Sequence, residues 1–206
     1  MTIETLRRQY PFPLEKPKDL LPIDFGWISG AHNDVFSHYM KNTKIILEIG
    51  SFCGKSAKLA LDSSPPDSTL ICVDPWYFQL QETFFQDLDI PIPAKLPDVW
   101  ELFRVNMWNY KERIIPIKLV SQMALFRIKE HNVEPDIVYI DGNHTFDGVI
   151  TDLELVHQLF PKAQIFGDDW NYKNKMADVK EAVEYWAFHH QFKIQVHKNR
   201  VYRIVK

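Results

Sequence analysis

Apolar residues in this chain gather into short runs of two alternating kinds. "KIILEIG" (44–50), "STLICVD" (68–74), "RIIPIKLV" (113–120), "DIVYID" (136–141) and "AQIFGDD" (163–169) are nearly continuous apolar runs, the pattern of strands covered on both faces. Between them, "KSAKLALDS" (55–63), "VWELFRVNMWNYK" (99–111), "QMALFRIKEHN" (122–132) and "FDGVITDLELVHQLF" (146–160) place apolar residues at helical spacing, and a further helix is expected from about Met176 to His189. Strands alternating with helices predict parallel strands joined by crossovers, hence a doubly wound, mostly parallel α/β sheet. At the end, "FKIQVHKN" and "RVYRIVK" are separated only by a turn near Asn199, which predicts an antiparallel hairpin at the sheet edge.

Two stretches stand outside this alternation, residues 1–43 and about 78–100. Prolines gather at 11–22 and 91–97, marking them as irregular. "DFGWISGAHNDVFSHYM" (24–40) has an aromatic, helix-like stripe, and the second stretch reads as an insertion after the second strand. The expectation is one domain over 1–206: a helical lid or substrate segment (1–43), then a core (44–206) carrying the insertion. Both segments are expected on the ligand side of the sheet, where loops set specificity; their apolar residues could equally form a homo-oligomer interface.

Composition narrows the class. With 206 residues, 46% hydrophobic and 25% charged, the chain suits one globular domain with a sizeable core. A net charge of −3 and the lack of a basic stripe argue against a nucleic-acid or anionic-membrane partner. No run approaches the roughly 20 apolar residues that span a bilayer, and the first residues lack the apolar core of a secretory signal. Cys53 and Cys72 fit a reduced chain better than a disulfide scaffold, so a cytoplasmic location is expected and the "NHT" sequon at 143–145 carries little weight.

The chemistry sits where the strands end. Open α/β sheets bind ligands beyond the carboxyl ends of their strands, and Asp74, Asp141, Asp168 and Asp169 all lie there. In "EIGSFCGKS" (48–56), Gly50 and Gly54 allow a tight turn and close approach to a ligand, while the following helix offers free N–H groups to an anion. Asp74, ending the second strand, can accept hydrogen bonds from both hydroxyls of a ribose. Together these predict a nucleoside-containing cofactor and leave NAD and S-adenosylmethionine both open.

The stretch from about Lys44 to Trp170 resembles the class I S-adenosylmethionine-dependent methyltransferases, which have a Rossmann-like, seven-stranded sheet. "LEIGSFCGKS" is similar to their first motif in small-molecule O-methyltransferases, "ICVDPW" to their second-strand acid motif, and "VSQMAL" to the Ser-Gln pair that touches adenine in catechol-type enzymes. The resemblance implies that Gly50 and Ser56 hold the methionine end with Glu48 close by, in a turn that includes Ser51 and Gly54. It implies that Asp74 binds the ribose, with Trp76, Ser121 and Gln122 near the adenine and Asp141 beside the cofactor. "IDGNHT" and "GDDW" look most like the metal-dependent branch that includes macrolide-sugar O-methyltransferases and cephalosporin-hydroxylase-like proteins. In that branch's strand order three carboxylates converge, which implies Asp141, Asp168 and Asp169 as ligands of a divalent ion, Mg²⁺ above all because it prefers oxygen.

His144, three residues after Asp141, stands where catechol-type enzymes have a proton-accepting lysine, and imidazole is suited to that task. His32 and His38, in the segment expected to cover the site, could touch substrate. The implied reaction is in-line methyl transfer to a small hydroxylated acceptor. Two alternatives stay open: an NAD-dependent oxidoreductase, and a non-catalytic S-adenosylmethionine-binding module. Methylation of nucleic acid is disfavoured further, since no Asn-Pro-Pro-Tyr-type motif for a flipped base is present.

Overall fold

The computed structural model describes every residue except 1, 19, 25, 78–80, 88–91, 93–94 and 172–176, together with the side chains of 83, 84, 87 and 177. The expected start of the last helix near Met176 and part of the 78–100 insertion lie outside the described residues. Seven strands form one sheet in the order β3-β2-β1-β4-β5-β7-β6. They are β1 (Ile45–Ile49), β2 (Thr69–Val73), β3 (Ile114–Ile117), β4 (Ile137–Ile140), β5 (Gln164–Gly167), β6 (Lys193–His197) and β7 (Val201–Val205). The first five are parallel, and the β6–β7 hairpin pairs antiparallel onto β5. This is the expected doubly wound sheet with its closing hairpin.

Alternation within each strand builds two apolar layers. Leu47, Ile49, Ile71, Val73, Val138 and Ile140 pack against α6 (Ser121–Glu130), α7 (Phe146–Leu159) and α8 (Ala177–His189). Ile46, Leu70, Cys72 and Ile137 face α2 (Gly30–Tyr39), α3 (Lys55–Asp62) and α5 (Val99–Asn106). Pro116 is accommodated because β3 is an edge strand, where a missing backbone N–H breaks no interior ladder. The helix expected over 99–111 stops at Asn106 and continues as a 3₁₀ helix over Trp108–Arg113.

Two short helices stand outside the expected pattern, α1 (Ile3–Gln9) and α4 (Glu82–Asp87). α1 anchors through the buried Leu6 and through Arg7, which donates to Thr69 Oγ1 and to the Ile114 carbonyl. Those residues begin β2 and β3, so α1 lies at the amino ends of the strands, opposite Asp74 and Asp141. Among the described residues no helix is long and apolar enough to cross a membrane.

Candidate functional site

The chain switches direction across the sheet between β1 and β4, and such a switch opens a crevice at the strands' carboxyl ends. A cavity of about 700 Å³ occupies that crevice, within the usual range for a ligand pocket. Three walls and a roof enclose it.

The first wall is the turn from β1 to α3. Gly50 has φ +90°, and a Cβ there would lie 1.9 Å from the Asp141 carbonyl oxygen. Glycine is thus required to let the β1 and β4 exits touch. Gly54 (φ +87°) is required on the other side, since its Cβ would strike Met107; it faces the core rather than the cavity. Gly50, Ser51, Phe52, Lys55 and Ser56 line the wall, which thus includes the start of α3, where a helix leaves N–H groups without an intrahelical partner. Asp74 lines it too and shapes the turn. Its Oδ2 accepts from the Phe52 amide (2.9 Å) and its Oδ1 from the Trp76 amide (2.7 Å). Burial pushes the Asp74 carboxyl up, with those two amides opposing it.

Phe52 and Trp76 both adopt left-handed backbone (φ 43° and 47°), a conformation costly for large side chains and concentrated at functional sites. The Trp76 ring holds it by donating from Nε1 to the Phe52 carbonyl (2.7 Å) and packing against Trp100 and Phe103. The ring expected near adenine is therefore placed beneath the turn, and Trp76 does not line the cavity. Glu48 is likewise beneath the turn, buried between Cys72 and Tyr139, with Oε2 lacking a hydrogen-bond partner among the described residues.

The second wall is the start of α6, where Ser121 and Gln122 line the cavity. Ser121 donates to Asp152 Oδ1 (2.6 Å). Asp152, from the middle of α7, also lines the cavity, and burial pushes its carboxyl up to about 6, with Ser121 opposing. A carboxylate inside a helical run offers no strand-end signal, so sequence reasoning passed over it.

The third wall gathers the acids. "GNHT" resolves into roles: Asn143 accepts from the Thr145 amide, and Thr145 caps α7 by accepting from the Gly148 amide. His144 is left to turn inward. Its Nε2 lies 3.3 Å from Asp141 Oδ1 and 3.2 Å from Asp169 Oδ2. Burial pushes the Asp141 carboxyl up to about 6, and the hydrogen bond to Asp141 raises His144 in turn. Asp169 is raised by burial and by Asp168, and its backbone is left-handed (φ 60°).

Asp168 also lines the cavity but is paired differently. Its Oδ1 meets Arg200 Nε (2.7 Å), and its Oδ2 accepts from Arg200 Nη2 (2.8 Å) and from His32 Nε2 (3.0 Å). The Ser29 amide donates to His32 Nδ1 (3.1 Å), so the ring proton is on Nε2 and points at Asp168. Burial pushes the Asp168 carboxyl up, but His32 and Arg200 outweigh it and hold the group below its ordinary value. Arg200 Nη2 also reaches Asp169 Oδ1 (2.9 Å). Among the described residues, the ligand atoms that group within 4.8 Å of one another come from Asp141, His144 and Asp169, with Asp168 alongside rather than within the group.

Arg200 was missed by sequence reasoning, which read it only as the first residue of the "RVYRIVK" run after a turn near Asn199. The signal was positional: an antiparallel strand beside β5 begins where β5 ends, and the Trp170 amide donates to the Arg200 carbonyl there. The roof comes from the N-terminal segment, where Gly26, Trp27, Ile28 and His32 line the cavity.

Comparison with known proteins agrees with this architecture. A family profile described as a methyltransferase domain matches residues 47–170. No curated protein matches the chain by sequence. Among solved structures it is similar to cofactor-bound Rv0187 from MTB (TM-score 0.62, 12% identity, covering 98% of this chain and 86% of that one). It is also similar to the O-methyltransferase from Bacillus cereus in complex with SAH (0.59, 16%, 90% and 84%). A third is the O-methyltransferase TomG from Streptomyces achromogenes, involved in tomaymycin synthesis and solved with SAM (0.54, 14%, 87% and 82%). At such identities the structures speak for the fold. The profile adds sequence evidence over more than half the chain, from β1 through the acids after β5, and the protein belongs to the methyltransferase-domain family.

Proposed function

We propose that the protein transfers a methyl group from S-adenosylmethionine to a hydroxyl oxygen of a small acceptor. The observation that carries this reading is one continuous cavity, joining the Gly50–Ser56 turn and Asp74 to the Asp141–His144–Asp169 group. The cofactor carboxylate would face the α3 start and Lys55, its ribose Asp74, and its adenine the α6 start with Ser121, Gln122 and Asp152. Binding of SAH and SAM by the Bacillus cereus and Streptomyces structures supports the cofactor choice.

The acceptor would enter beneath Trp27 and Ile28, with its hydroxyl at the third wall. The acceptor oxygen attacks the methyl carbon, the carbon–sulfur bond breaks, and neutral S-adenosylhomocysteine leaves. The hydroxyl proton passes to the Asp141–His144–Asp169 group, in which burial pushes Asp141 up to about 6 and the hydrogen bond to Asp141 raises His144. Most of the rate enhancement comes from holding oxygen, methyl and sulfur in line away from water. The donor chemistry of this group also fits a divalent metal, which when bound would polarise the acceptor oxygen and favour its ionised form.

Titration calorimetry with S-adenosylmethionine, run with Mg²⁺ and again with EDTA, tests the reading. Binding in both is expected, and Asp74→Ala should weaken it about tenfold or more, the loss expected when ribose hydroxyls lose a charged acceptor. Wild-type affinity in that variant would remove Asp74 from the cofactor site. Failure of the wild-type chain to bind at all would remove the methyltransferase reading.

A further inference from the structure

We propose that this chain binds its metal through Asp141 Oδ1, Asp169 Oδ2 and His144 Nε2, with Asp168 withheld by Arg200 and His32, and that this mixed donor set selects a transition ion such as Mn²⁺ or Zn²⁺ over Mg²⁺. The inference deepens the methyl-transfer reading and rests on it for the ion's purpose, though metal binding can be measured without it.

Asp141, Asp168 and Asp169 end neighbouring strands, and three carboxylates so close require a counter-charge. The hairpin supplies one. Arg200 approaches both oxygens of Asp168 through Nε and Nη2, and His32 adds a third contact. Of these two Arg200 contacts, Nη2 to Oδ2 is a hydrogen bond and Nε to Oδ1 a close ion pair, and separating a pair this deeply buried would leave two unpaired charges. Asp168 lines the cavity, but both of its oxygens are therefore already engaged by Arg200 and His32. Arg200 Nη2 also lies 2.9 Å from Asp169 Oδ1, while Asp169 Oδ2 faces the cavity-side imidazole.

The imidazole has the spacing of a neighbouring ligand to each carboxylate, and the ligand atoms of the three residues lie within 4.8 Å of one another. His144 Nε2 lies 3.3 Å and 3.2 Å from the two carboxylate oxygens, and cis ligands at about 2.1 Å from an ion stand about 3 Å apart. Two oxygens and an imidazole nitrogen differ from the all-oxygen set that the family resemblance implies. Imidazole suits Zn²⁺, Fe²⁺ and Ni²⁺, whereas Mg²⁺ favours oxygen alone. The same nitrogen lone pair cannot hold an ion and accept a proton, so the two roles open to His144 exclude each other in the metal-loaded protein.

The test loads the full chain with Mn²⁺ and follows free and bound ion by electron paramagnetic resonance, with S-adenosylmethionine binding measured by calorimetry on the same samples. Pulsed spectra of the wild-type Mn²⁺ complex should show nitrogen modulation from a directly bound imidazole; bound Mn²⁺ without it overturns the proposal. His144→Ala should lose that signal and weaken Mn²⁺ about tenfold or more. Asp168→Asn should leave Mn²⁺ affinity unchanged. If that variant does not fold, the wild-type spectrum still decides. Loss of Mn²⁺ in Asp168→Asn with retention in His144→Ala would overturn the proposal in favour of three carboxylates, as would Mg²⁺ displacing Mn²⁺ at equal concentration. A wild-type chain that binds no Mn²⁺ also overturns it. In each case S-adenosylmethionine binding reports separately on the methyl-transfer reading.

Discussion

Glu48 shows how strongly a single position can be set by its neighbours. Burial pushes its carboxyl from 4.5 to about 7, against the opposing pull of Ser51 and Ser56, with Asp141 and Asp74 adding to the rise. The unfolded chain loses this proton near 4.5, while the folded chain keeps it to about 7. Folded protein therefore binds more protons across that window, and Glu48's effect on stability becomes less favourable as pH rises through it. Glu48→Gln removes the titration. Relative to wild type, the variant should gain stability between pH 5 and pH 8, reaching about 3 kcal/mol at the alkaline end, the equivalent of the displacement. Urea unfolding of both proteins at the two pH values checks this; parallel changes in the two would show that Glu48 is ionised in the native protein. Position 48 was singled out only through the family resemblance, and the apolar run could not reveal that Cys72 and Tyr139 flank it in register.

Between elements, side chains at helix and hairpin ends join parts of the site that sequence keeps apart. Asn106, the last residue of α5, accepts from the Ile23 amide (2.9 Å) and donates to the carbonyls of Ile23 (2.9 Å) and Cys53 (2.8 Å). It ties the segment that roofs the cavity to the turn that forms its first wall. Asn106→Ala should lower stability by about 2 kcal/mol, from lost bonds and backbone groups left partly unpaired, and weaken S-adenosylmethionine by loosening that turn. A drop in urea midpoint at constant slope would agree; an unchanged midpoint would mean that the tether contributes little. On the far side of the cavity, Lys198 to Asp34 (2.6 Å) and Arg200 to Asp168 pin the hairpin turn to α2 and β5. α1 escaped prediction because seven residues with one buried leucine make too short a periodic signal.

For the molecule as a whole, the sheet order brings residues that follow each of the five parallel strands around one cavity, so a ligand filling it should stabilise the native state against global unfolding. At about 100 times its dissociation constant, S-adenosylmethionine should add about 2.7 kcal/mol, raising the melting temperature by about 5–10 °C for a chain of this length. Thermal melts with and without cofactor measure this. A shift with NAD(H) and none with S-adenosylmethionine would move the protein to the oxidoreductase reading.

By itself the sequence determined the strands, most of the helices, the closing hairpin and the acids at the strand ends, because each is written in local periodicity and in residues that end it. The cavity lining by Gly50, Asp74, Ser121 and Asp141 follows from the same logic, since parallel strands bring their carboxyl ends to one edge. Only tertiary structure decided how the acids divide: Asp168 turns to Arg200 and His32, while Asp141 and Asp169 turn to His144. It also placed Trp76 beneath the turn and Asp152 beside Ser121. The physical reason is that a side chain's partner depends on contacts distant in sequence, and 136 residues separate His32 from Asp168.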